Sequence, residues 1–108
     1  MLAAEKITIR SIAQREVLEL RPVLGEIWPE ASRDRIADIL PRHVARKGFR
    51  FLGAFGEQGQ LVGFVYGYRG AAGQWWHDRV AKALGRSGSR RWLPKGHFEF
   101  TELHVRED

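Results

Sequence analysis

The segment Phe49 to Tyr68, FRFLGAFGEQGQLVGFVYGY, constrains this chain more than any other. Phe49, Phe51 and Phe55 recur with Gly53 at the two-residue period that sets one face of a strand. Beyond the turn, Leu61, Gly63, Val65 and Gly67 alternate with Val62, Phe64, Tyr66 and Tyr68. The intervening GEQGQ supplies glycine where a tight connection needs a positive φ. The pattern predicts a long antiparallel hairpin. Gly63 and Gly67 weaken a strand interior, so they mark either a bulge or the close approach of backbone or ligand.

Around the hairpin, Lys6 to Ile12 alternates as a first strand. From Gln14 to Trp28 the apolar residues Val17, Leu18, Leu20, Leu24, Ile27 and Trp28 paint one helical stripe. Pro22 removes an N–H from that run and should bend or divide the helix, and Pro29 ends it. A second helix is predicted from Ser32, as N-cap, through Ile36, Ile39, Leu40 and Val44, with Pro41 as a kink and Gly48 as the closing glycine. After Tyr68 the composition shifts. Gly73 to Leu84 has helical spacing, and GRSGSRRWLPKG, from Gly85 to Gly96, reads as a basic loop before a final strand.

A chain of 108 residues is one small domain or part of one. With 44% apolar residues, including four Trp and six Phe, it has the composition of a packed protein rather than a disordered one. The lack of cysteine excludes disulfides, a thiolate nucleophile and cysteine zinc sites. Glu5 and Lys6 interrupt the opening, which lacks the uninterrupted apolar stretch of a signal peptide, so none is expected, and no window approaches the roughly 18 apolar residues of a membrane span. A soluble, cytoplasmic protein is expected. The formal charge of +5 is spread along the chain, dense only from Arg86 to Lys95, so nucleic acid is not the expected partner.

The chain closes on Phe98 to Asp108, FEFTELHVRED, a half-buried strand running into a charged turn. The order of strand, bent helix pair, long hairpin and final strand, with ELHV at its separation from the start, resembles the first half of a GNAT-type N-acetyltransferase across nearly the whole chain. Only residues 69–96 depart, as an insertion carrying a helix and a basic loop. The resemblance implies an α/β (α+β) fold: a mostly antiparallel four-stranded sheet, two N-terminal helices on one face and an inserted helix between strands three and four. Residues 1–108 would then be a single partial acyltransferase domain. In the family a glycine-rich, arginine-bearing loop follows this strand and holds the pyrophosphate of acetyl-CoA at a helix N-terminus. Asp108 precedes any such loop, so the chain is expected to be inactive alone.

The implied activity is acetyl-CoA-dependent N-acyl transfer to a primary amine, on a small molecule or a peptide, by direct attack on the thioester. The resemblance implies that the backbone of Leu103, His104 and Val105 pairs with the pantetheine arm and that an N–H there polarises the thioester oxygen. An alkylammonium of pKa about 10.4 cannot attack at neutral pH, so a base is needed. Glu102, nearer the pantetheine end, is the first candidate, with Glu99 as the alternative; a regular strand sends the two to opposite faces. Trp28, Glu30 and Trp75 are the candidate acceptor contacts. Tyr66 and Tyr68 are poor replacements for the family's thiolate-protonating tyrosine.

His97 pairs with Glu99, and Glu102 with His104, on shared strand faces, but without a third ligand at fixed spacing no metal site is expected. His77 and Asp78, as helical neighbours, point apart and form no triad. The competing function is a non-catalytic dimerisation or partner-binding module derived from the same fold. In either case a homodimer through the final strand or the sheet face is expected.

Overall fold

The computed structural model describes residues 6–30 and 33–106. Its elements are β1 (Thr8–Ser11), α1 (Gln14–Glu19), α2 (Arg21–Ile27), α3 (Arg33–Val44), β2 (Arg50–Phe55), β3 (Leu61–Arg69), α4 (Trp75–Trp92) and β4 (Phe98–Val105). The strands form one four-stranded antiparallel sheet in the order β1-β2-β3-β4. This is the mixed α/β architecture expected, compatible with a partial GNAT-like fold. The proposed cap Ser32 and the last two residues lie outside the described residues.

Prolines divide the helical region as their missing N–H requires. Pro22 falls in the first turn of α2, where no intrahelical donor is needed, so the stripe from Gln14 to Trp28 becomes two helices meeting at Leu20. Pro41 lies inside α3, three residues before its end. The chain then turns through Gly48 at φ 76° into β2. The Gln14 side-chain amide donates to the Val44 carbonyl at 2.8 Å, tying the start of α1 to the end of α3.

The core lies between these helices and one sheet face. Val17, Leu24 and Leu40 from the helices meet Phe51, Phe64 and Tyr66 from the sheet, all essentially buried. Phe51 stacks on Phe64 at 5.4 Å, and Trp28 leans on Phe64 at the same distance. Burial of each such side chain contributes about 1.5–3 kcal/mol, so this aromatic layer is the main cohesive element.

Two register shifts depart from strict alternation. Ala54 pairs with Gly63 but Phe55 with Leu61, so Val62 is the extra residue of a bulge. Leu61 and Phe64 therefore both reach the core, whereas simple alternation assigns them to opposite faces. The second shift matters more for the site. Tyr66 pairs with Glu102 and Gly67 with Phe100, leaving Thr101 as the extra residue. A Cβ on Gly67 would meet the Glu99 carbonyl and lie 2.6 Å from the Phe98 ring, so the bulge and close backbone approach explain this glycine without a ligand.

Residues 69–96 differ from the expected helix and loop. α4 runs on through most of the basic stretch to Trp92, broken only at Gly85, where φ is 72° and ψ −178°. It contributes no buried residue, and Trp75 and Trp76 on its first turn are exposed.

Candidate active site

β4 is an edge strand of the described sheet, bonded to β3 on one side. The Arg106 N–H donates to the Val62 carbonyl at 2.8 Å, which points that residue inward, toward β3. By alternation His104 and Glu102 also turn their backbone groups toward β3, and Leu103 and Val105 turn theirs to the open edge. An extended ligand arm laid along this edge would find those N–H and C=O groups unpaired by the sheet.

Facing this end of β4 is the chain leaving α2. A groove of about 840 Å³ is lined by Trp28, Pro29, Glu30 and Arg33 on one wall and by Leu103, His104, Val105 and Arg106 on the other. The structure thus brings together five residues singled out from sequence: Trp28, Glu30, Leu103, His104 and Val105. Trp28 itself is buried, held at 5.0 Å from the His104 ring and 5.4 Å from Phe64, so it forms the floor of the groove rather than a free contact surface. Glu30 is exposed at the rim.

Glu102 reaches the groove through His104. Its carboxylate lies 2.7 Å from His104 Nε2, with both side chains only partly exposed. Glu102 also stands across from Tyr66, whose hydroxyl lies 2.8 Å from His43 Nδ1. Burial, and secondarily the Glu102 charge, raise the Tyr66 phenol above its ordinary range. A phenol held neutral donates its proton, so His43 Nδ1 is the acceptor. Burial first, then the guanidiniums of Arg46 and Arg42, lower the His43 pKa to about 4. Sequence spacing offered no sign of this pair, because His43 and Tyr66 belong to a helix and a strand that meet only in the folded chain.

Glu99 is placed differently from either reading of it. The Thr101 bulge absorbs one residue between Glu99 and Glu102, so both lie on the helix-bearing face, opposite Tyr68 and Tyr66, and not on opposite faces. Glu99 nonetheless stays outside the groove. Its Oε2 lies 2.6 Å from His97 Nε2 and 3.3 Å from His77 Nδ1, the latter contributed by the first turn of α4. His97 Nδ1 lies 2.9 Å from the Pro94 carbonyl, so both ring nitrogens face acceptors. The Glu99 hydrogen bond above all holds the His97 pKa above its usual value. Trp75 does not join the groove either: it is exposed on α4, stacked under Arg79 at 5.0 Å.

Among the described residues no helix is long and apolar enough to cross a membrane. Over 49 residues the chain is 47% identical to a protein of Mycobacterium tuberculosis named GCN5-like protein acetyltransferase. The match covers 42% of this chain and 24% of that protein, so the chain spans about a quarter of the curated relative it matches. No family model and no solved structure matches the chain. The partial match supports a general acetyltransferase relationship over a short stretch, in agreement with the GNAT-type resemblance.

Proposed function

We propose that this chain supplies the acceptor side and part of the pantetheine strand of an acetyl-CoA-dependent N-acyltransferase acting on a primary amine. The observation that carries the reading is the groove in which the open edge of β4 faces Trp28, Pro29, Glu30 and Arg33, with His104, held by Glu102, on its wall. The pantetheine arm lies along Leu103 to Val105 as an added strand. An outward N–H of Leu103 or Val105 donates to the thioester oxygen as negative charge develops there. Glu30, at the rim, attracts the cationic amine. The carboxylate of Glu102 removes the ammonium proton, directly or through His104, whose Nε2 it holds. The freed amine forms the new C–N bond, the C–S bond breaks, and the thiolate leaves as CoA after protonation.

Acetyl transfer to a panel of amines by the chain extended to full family length, followed by thiol release, tests this. Glu102→Gln is expected to lower the rate about 10²-fold or more, most strongly at low pH, where free amine is scarcest, and to leave acetyl-CoA affinity nearly unchanged. Glu99→Gln serves as the paired variant and is expected to have little effect. Equal rates for wild type and Glu102→Gln across pH would remove Glu102 from the mechanism.

A second reading rests on the sheet face opposite the helices. Ile9, Leu52, Phe98, Phe100, Leu103 and Val105 are all exposed there. Contiguous apolar surface beside an unpaired strand edge favours association, and a two-fold dimer is the simplest closed arrangement. A homodimer formed through this face is compatible with catalysis and would be the whole function of a non-catalytic module.

A further inference from the structure

His77, His97 and Glu99 converge from two elements that the sheet alone does not join. Each offers one ligand atom, and the three atoms lie within 4.8 Å of one another. In a tetrahedral zinc site with arms of about 2.1 Å, neighbouring ligand atoms are roughly 3.4 Å apart. The His77 Nδ1 to Glu99 Oε2 distance of 3.3 Å already matches, and the 2.6 Å between His97 Nε2 and Glu99 Oε2 has only to open. The surroundings are those of a prepared site. The Pro94 carbonyl, 2.9 Å from His97 Nδ1, takes up the far ring nitrogen and leaves Nε2 as the coordinating atom. Such an outer hydrogen bond is what orients metal-bound histidines. The side chains of all three residues are largely shielded from solvent, 12–14% exposed. The His77 and His97 rings stack at 5.3 Å. Gly70 is buried against them, and a Cβ there would run into His97 Nε2 and Glu99 Oε2. The missing side chain is what leaves the cluster its space.

We propose that these three side chains bind a divalent transition-metal ion of the zinc class, with water in the fourth position. The ion joins the first turn of α4 to β4. Two imidazoles and one carboxylate suit zinc rather than calcium or magnesium, which prefer all-oxygen shells. A tether explains how α4, which buries no residue, keeps a defined place beside the sheet. The inference is independent of acyl transfer.

The test is a calorimetric titration of the chelator-treated protein with zinc, together with the imidazole resonances of its four histidines. One ion per chain is expected, shifting His77 and His97 while leaving His43 and His104 in place. His77→Ala, His97→Ala and Gly70→Val should each weaken binding about tenfold or more, and His43→Gln should not. Should a variant fail to fold, the resonances of the unaltered protein still decide. Zinc shifting His43 or His104 instead, no saturable binding, or undiminished affinity in folded His77→Ala and His97→Ala would each overturn the proposal.

Discussion

His43 shows how one side chain ties stability to pH. Folded, it remains neutral down to about pH 4, because burial and the neighbouring Arg46 and Arg42 disfavour the imidazolium. In the unfolded chain it protonates near its ordinary value of about 6.5. The unfolded state therefore binds the extra proton between these limits. The stabilisation is complete above pH about 6.5 and is lost as pH falls toward 4. His43 packs against Tyr66 and Tyr68 of β3, and the charges that act on it from its own segment are those of Arg46 and Arg42. We expect the melting temperature to fall between pH 6.5 and 4 less steeply in His43→Gln than in wild type. Parallel slopes measured by thermal denaturation would show that His43 does not carry the effect.

At the scale of elements, the β3–β4 pairing decides which side chains meet. Thr101 is accommodated as an extra residue because Gly67 lets the β4 backbone approach, and this one offset brings Glu99 and Glu102 to the same face. Gly67→Ala places a methyl group against the Phe98 ring and the Glu99 carbonyl. The expected cost is about 1–3 kcal/mol, the usual range for overpacking, read as a lower midpoint in urea denaturation. Gly25→Ala is the comparison, since nothing lies within 4 Å of the added carbon. A helical alanine there should be neutral or stabilising by up to about 1 kcal/mol. If both variants melt alike, close approach at Gly67 is not what the bulge needs.

The whole molecule has one covered and one uncovered sheet face. Helices α1 to α3 bury the face of Phe51, Phe64 and Tyr66, whereas Phe100 is 77% exposed and Leu103 70% on the other side. α4 does not fold back over this second face, since Trp75 and Trp76 are themselves exposed. The molecule measures 49 × 29 × 25 Å, and its radius of gyration of 15.9 Å exceeds the roughly 13 Å typical of a compact domain of this size. We expect a dimer or larger assembly at micromolar concentration in light scattering or sedimentation. Phe100→Glu and Leu52→Glu should shift it toward monomer, because a charge buried in an apolar interface is costly. A monomeric wild type would remove the dimer from the proposed function.

The hairpin, the helical stripe cut by Pro22 and the final strand were all legible in the amino-acid order, because each depends on periodicity or on a proline's missing N–H, which are local properties. Trp28, Glu30 and the Leu103–Val105 backbone were legible as site candidates through the family resemblance, and folding gathers them around one groove. The sharing of a face by Glu99 and Glu102 was not legible. A bulge forms where two strands pair, and strand pairing leaves no mark in the alternation of either strand alone. The same holds for the third member of the histidine cluster. His97, just before β4, and Glu99 on it stand two apart, but His77 comes from a helix 20 residues before His97, and only the packing of α4 beside the sheet brings the three together.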